Sequence, residues 1–117
     1  MKEIEDKIKS FLSARGWGKD PSADLAKSIV IEAAELLEHF QWGTNEEKQL
    51  KNIEEITMEV ADVFMYLMML CIRNKIDLVD AVDKKLSKLE VKYPVEMFNG
   101  KHNEEVYRSQ KRKYRNQ

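Results

Sequence analysis

The sequence has 117 residues, which is enough for one domain whose core needs no disulfide. Its net charge of −1 argues against a dedicated nucleic-acid-binding protein, and its single cysteine, Cys71, excludes an internal disulfide. Residues 1–10 are charged and amphipathic, unlike a secretory signal, and the longest apolar run, around 63–72, is too short to span a bilayer. We therefore expect a cytoplasmic protein with no membrane or nucleic-acid partner, in which Cys71 is buried.

Glycine and proline are scarce and stand between periodic segments, so the sequence predicts an all-α fold. The apolar spacing predicts helices at about 2–14, 22–41, 46–73 and 78–92, the last capped by Asp77, in an antiparallel four-helix-bundle-like domain. We expect the second helix to bury Leu25, Ile29, Ala33, Leu36, Leu37 and Phe40. We expect the fourth to bury Leu78, Ala81, Val82, Leu86 and Leu89.

A second apolar stripe on the third helix carries Met58, Met65 and Met69, while Ile31 and Trp42 lie off the main stripe of the second helix. Methionines at helical spacing are usually core residues. One bundle of this size, however, would struggle to cover two apolar faces on each of two helices. The pattern therefore predicts a homo-oligomer.

Two helices carry carboxylates three residues apart, Glu32 with Glu35 and Glu59 with Asp62. This spacing places each pair on one helix face, and the four groups converge if the helices pack antiparallel. Oxygen-only ligands favour Mg²⁺, with Mn²⁺ as a possible substitute, and such a site suits phosphoryl or nucleotidyl transfer. A solvated acidic face and a di-iron site are the alternatives. Di-iron bundles use Glu-x-x-His pairs, and His39, which is typical of a packed or surface histidine, does not supply one.

The segments 24–42 and 54–67 closely resemble the MazG-like all-α nucleotide pyrophosphohydrolases. The family signature E-x-x-E…E-x-x-D maps onto Glu32, Glu35, Glu59 and Asp62, and segment 85–96 resembles the family's closing element. The resemblance implies a dimer or tetramer that cleaves a nucleoside triphosphate between the α and β phosphates in house-cleaning of nucleotide pools. It also implies that the four signature carboxylates bind Mg²⁺.

The resemblance implies roles for further residues as well. A water molecule attacks the phosphate, and Glu35 or Glu38 helps to deprotonate it. The candidates for binding the phosphates, or else for an exposed helix face, are Lys85, Lys88 and Lys92. The candidates for the pocket wall are Tyr66, Trp17 and Trp42, with core packing as the alternative for the tryptophans.

Two positions depart from the family pattern, since Leu89 and Asp24 stand where asparagines are expected. Neither leucine nor ionised aspartate can donate the hydrogen bonds of asparagine, so the preferred substrate is not indicated. We expect residues 1–99 to form the MazG-like domain and residues 100–117 a basic tail. The tail has six lysines and arginines against two acidic residues, and it is either a frayed end or a segment that docks on phosphates or an acidic neighbour. A non-catalytic helical interaction module that keeps the family scaffold is the alternative to the enzyme.

Overall fold

The computed structural model describes residues 1–41 and 52–115, and over these residues the chain is all-helical, as predicted. The helices are α1 (Lys2–Ala14), α2 (Ser22–Glu38), α3 (Ile53–Arg73), α4 (Leu78–Lys92) and α5 (Glu104–Lys113), with a 3₁₀ turn at Val95–Met97. They divide into two compact units, Met1–Ile76 and Asp77–Gln117. None of the described helices has the length and apolar character needed to cross a membrane. The predicted domain boundary after residue 99 stays a prediction.

The first two helices agree with the predicted segments except at the end of α2. A glycine ends α1: Gly16 has φ +67°, and the Trp17 N–H donates to the Leu12 carbonyl at 2.9 Å, which closes a Schellman motif. The prediction that α2 continues to residue 41 is wrong. The N–H groups of His39 and Phe40 donate to carbonyls three residues back, so the last turn tightens and the α-helix stops at Glu38.

The third helix begins later than the sequence predicted. Asn52 is not helical and precedes α3 as its N-cap, so a helix continuous from 46 to 73 is wrong. The predicted start at residues 46–51 and the candidate residue Trp42 lie outside the described residues. At its other end α3 closes with Lys75 at φ +54°, while the Ile76 N–H donates to the Cys71 carbonyl at 2.9 Å.

Packing in the first unit is between α2 and α3, with α1 also against α3. The Asn74 amide at the end of α3 donates to the Ser22 hydroxyl at the start of α2 at 3.0 Å. The carboxylates in the middle of the two helices also meet, so α2 and α3 run antiparallel. The buried apolar residues are Ile8, Leu12, Leu25, Ile56, Met68 and Cys71. The burial of Cys71 is confirmed, whereas Ala33, Leu37 and Phe40, expected in the core, are exposed, Leu37 at 63% and Phe40 at 42%. The reason is that α2 packs mainly against α3, which covers one side of the helix.

The second unit joins α4 to α5 near the C-terminal end of α4. Asp77 caps α4 as predicted, accepting from the Asp80 N–H at 3.0 Å. The Gln110 amide of α5 is buried and donates to the Lys92 carbonyl at 2.7 Å. Because α5 is an ordered helix with this contact, the interpretation of the tail as a frayed end is wrong over Glu104–Lys113.

The predicted inner face of α4 is a further correction. Val82 and Leu86 are 48% and 51% exposed, and Ala81 is exposed as well. This follows from the position of α5, which contacts α4 at Lys92 and so leaves the preceding turns uncovered within the unit.

Candidate metal centre

Three acidic side chains meet where α2 and α3 face each other. Carboxylate oxygens of Glu32, Glu59 and Asp62 all lie within 4.8 Å of one another. The geometry follows from the sequence, because the i,i+3 spacing puts Glu59 and Asp62 on one face of α3 and the antiparallel partner presents Glu32 to that face. The structure thus brings together three of the four carboxylates predicted to bind metal.

The fourth carboxylate, Glu35, lies beside two of these three. It is within hydrogen-bonding reach of Glu32 and of Glu59. Two ionised carboxylates offer only acceptors, so a hydrogen bond between them requires a shared proton. The site is therefore a set of four acids, on two helices, whose negative charges lie close together.

The pKa values of Glu32 and Glu59 are raised in this cluster. Burial raises the pKa of Glu32, and Glu35, Asp62 and Glu59 raise it further. Burial likewise raises the pKa of Glu59, with added contributions from the charges of Glu35 and Asp62. Desolvation and neighbouring negative charge both disfavour a carboxylate, whereas a bound cation would favour it.

Two oxygen atoms in the cluster lack a partner. Glu32 Oε2 and Glu59 Oε2 are buried and accept no hydrogen bond from the described residues. Among those residues the ion pairs lie elsewhere, and none involves these four acids. Buried charge without a partner is costly, so the cluster suits a cation that supplies the missing positive charge. Since every donor is an oxygen, the donor set fits Mg²⁺ or Mn²⁺ better than zinc.

His39 is a neighbour of the cluster that the sequence interpretation left aside. It is half-buried at the end of α2, and its charge lowers the pKa of Glu59, against the larger upward effect of burial. The signal that could have identified it is its position four residues after Glu35, which places both side chains on the same face of the helix.

The remaining candidates on these helices have different surroundings. Glu38 is exposed at the last position of α2. Tyr66 is half-buried and follows Asp62 by one turn of α3, on the same helix face. Trp17 lies between α1 and α2, is 58% exposed, and packs edge-on against Phe11 with ring centroids 5.9 Å apart.

The three candidate lysines belong to the second unit. They stand at i, i+3 and i+7 of α4 and line a cleft of about 540 Å³ together with Leu89, Val91 and other residues of that unit. Lys85 and Lys88 are exposed and Lys92 is half-buried, so all three can reach a ligand in the cleft.

Comparison with known proteins gives three consistent findings. The family model of the MazG-like family matches residues 27–108. A dCTP pyrophosphatase 1 from Rattus norvegicus is 30% identical over 106 residues, covering 86% of this chain and 62% of that protein. The protein of the same name from Mus musculus is 29% identical over 109 residues, with the same coverage. The chain thus spans about 62% of the length of these curated relatives.

Among solved structures, the crystal structure of a pyrophosphatase from Archaeoglobus fulgidus has a TM-score of 0.71 to this chain. The two sequences are 40% identical, and the match covers 80% of this chain and 92% of the other.

Proposed function

This chain belongs to the MazG-like family, and we propose that it hydrolyses nucleoside triphosphates between the α and β phosphates, releasing a nucleoside monophosphate and pyrophosphate. The observation that carries the proposal is the carboxylate cluster of α2 and α3, with two buried oxygens that lack a hydrogen-bond partner. Such a cluster can bind a metal cation, and hydrolysis of a phosphoanhydride requires one because the cation neutralises the negative charge of the phosphates.

The metal ligands in this proposal are Glu32, Glu35, Glu59 and Asp62, and the ion is Mg²⁺, with Mn²⁺ as a substitute. When bound, such an ion neutralises phosphate charge and makes water a better nucleophile. Burial and the nearby charges of Glu35 and Asp62 raise the pKa of Glu59, and a divalent cation bound at this site would act in the opposite direction.

Two carboxylates are candidates for the group that takes the proton from the attacking water. Glu35 contacts Glu32 and Glu59 within the cluster, whereas Glu38 is exposed at the end of α2. A base must lie within reach of the proton it removes. Glu38→Gln tests the choice: if Glu38 is the base, this variant loses turnover and keeps Mg²⁺ binding, and if Glu35 is the base, it keeps both. Glu35→Gln removes a proposed metal ligand, so it should lose both in either case.

Substrate contacts are proposed from the family resemblance together with exposure. Lys85, Lys88 and Lys92 are the proposed ligands of the phosphates, since a compact ammonium neutralises phosphate oxygens well. Tyr66, Trp17 and Trp42 are the proposed contributors to the pocket wall.

The first nucleotide to test is dCTP, because the curated relatives are named for it. Leu89 and Asp24 stand in place of the asparagines expected by the family pattern, so non-standard nucleotides belong in the same panel. House-cleaning of the nucleotide pool is the proposed cellular role.

A homo-oligomer, dimer or tetramer, is also part of the proposal. Met58 and Ile31 are 62% and 57% exposed, and both lie on the surfaces where the sequence pattern predicted contacts between subunits. Apolar side chains on such faces are stabilised when a second copy covers them.

The test is pyrophosphate release from dCTP and a panel of other nucleotides, measured with Mg²⁺ and with EDTA. Glu59→Gln should abolish turnover, and Glu54→Gln is the matched control, because Glu54 is an exposed glutamate of the same helix outside the cluster. Folded protein that binds Mg²⁺ but turns over no nucleotide would support the alternative, a non-catalytic interaction module.

A further inference from the structure

The lysine cleft on α4 contains an aromatic side chain that comes from the C-terminal segment. Tyr114, the residue that follows α5, lines the cleft together with Leu89, Val91 and the three lysines. The cleft therefore combines ammonium groups with apolar and aromatic surface, and all of these groups belong to the unit Asp77–Gln117.

Contacts between α4 and α5 hold Tyr114 in this place. The buried Gln110 donates to the Lys92 carbonyl at 2.7 Å, and Tyr107 stacks on Tyr93 with ring centroids 5.2 Å apart. Tyr114 comes one turn after Gln110, and its N–H donates to the Gln110 carbonyl at 3.1 Å, so both side chains leave the same side of the segment. The ring is half-buried, which leaves part of its surface available to a ligand in the cleft.

We propose that Tyr114 contacts the base of a nucleotide whose phosphates bind Lys85, Lys88 and Lys92. This inference takes the role of the lysines from the proposed function and adds the residue that receives the base. Tyr114 lies outside residues 27–108, which the family model matches, so it is a contact from the segment beyond that match.

The chemistry of the lining also predicts how bases are selected. Leu89 cannot form hydrogen bonds with the edge of a base, and an aromatic ring stacks on the face that every base possesses. Recognition through Leu89 and Tyr114 therefore tolerates different bases. The ligand class is a nucleoside polyphosphate held by its phosphates and by the face of its base.

The test is equilibrium binding of a ribose-labelled fluorescent α,β-methylene nucleoside triphosphate in EDTA, followed by fluorescence anisotropy. Tyr114→Ala should weaken binding roughly tenfold, as loss of one stacking contact does, and Tyr114→Phe should bind like the wild type. Inorganic tripolyphosphate, used as a competitor, should bind Tyr114→Ala as it binds the wild type, because it has no base.

Lysine variants provide the matched comparison for the phosphates. Lys88→Ala should weaken both the nucleotide analogue and tripolyphosphate. Lys84→Ala should weaken neither, since Lys84 lies outside the cleft lining and pairs with Asp80 at 2.8 Å. Circular dichroism of each variant establishes that the helices are retained.

Three results would overturn the inference. The first is that the analogue does not bind the wild type in EDTA, and the second is that it binds Tyr114→Ala as tightly as the wild type. The third is that Tyr114→Ala binds the analogue normally but has a different mass in light scattering. The last result would identify the cleft as a subunit contact. Pyrophosphate release without binding in EDTA would refute the cleft and keep the proposed function. Binding of the analogue without pyrophosphate release from any nucleotide would support the cleft and refute the proposed function.

Discussion

Two methionines on α3 allow the packing and the proposed oligomer to be tested with the same substitution. Met68 is 2% exposed and Met58 is 62% exposed. Met68→Ala removes a buried side chain and leaves a cavity, at a cost of about 3 kcal/mol. For a chain of this length that corresponds to a melting temperature about 12 °C lower. Met58→Ala removes atoms that a single chain leaves mainly in water, so its effect on folding should be within about 0.5 kcal/mol.

The assay is thermal unfolding by circular dichroism at several protein concentrations, with light scattering on the same samples. Met68→Ala should melt early at every concentration. Met58→Ala should raise the dissociation constant of the oligomer roughly tenfold, as truncation of an interface residue does. A Met68→Ala protein that melts within about 2 °C of the wild type would refute the core assignment. A monomeric wild type, or a Met58→Ala protein that assembles normally, would refute the interface proposal.

Three further predictions concern the cluster and the end of α3. Millimolar Mg²⁺ should raise the melting temperature of the wild type and of Glu54→Gln, but not that of Glu59→Gln. At a Mg²⁺ concentration a hundred times the dissociation constant the increase should be roughly 10 °C. An equal increase for all three proteins in differential scanning fluorimetry would contradict the metal site. In EDTA, the raised pKa of Glu59 gives stability that is fully present below the ordinary glutamate pKa and is lost as pH rises through the raised pKa. Urea unfolding between about pH 4 and pH 7 should therefore show a smaller loss of stability in Glu59→Gln than in the wild type. Parallel curves of stability against pH for the two proteins would exclude this effect. Lys75 has φ +54°, a left-handed backbone conformation that glycine adopts more easily than residues with a Cβ atom. Lys75→Gly should therefore stabilise the protein by roughly 1 kcal/mol in urea unfolding, whereas Lys75→Ala should give no gain. Equal stability of the two variants would argue against backbone strain at this position.

The parts of the fold that sequence predicts well are those set by local spacing. The start of α4 followed from Asp77, whose carboxylate can cap only the first turn. The end of α1 followed from the position of the glycines between periodic segments, of which Gly16 is the first. The meeting of Glu32 with Glu59 and Asp62 followed from i,i+3 spacing once the two helices were taken as antiparallel.

The parts that sequence missed depend on contacts between distant segments. The tail looked like a solvated end because it is rich in charge, yet Asn103 caps α5 and Gln110 donates to Lys92, and neither contact leaves a mark in hydropathy. His39 was missed because its effect on Glu59 acts across two helices. Tyr114 was missed because one aromatic residue among lysines and arginines carries no periodic signal.

³¹P NMR identifies which phosphoanhydride bond is cleaved when dCTP, and each nucleotide of the panel, is incubated with the protein and Mg²⁺. Cleavage between the α and β phosphates predicts nucleoside monophosphate and pyrophosphate in equal amounts, with turnover lost in EDTA and in Glu59→Gln. Formation of nucleoside diphosphate and orthophosphate would contradict the proposed cleavage position, and product formation that persists in Glu59→Gln would contradict the proposed carboxylate site.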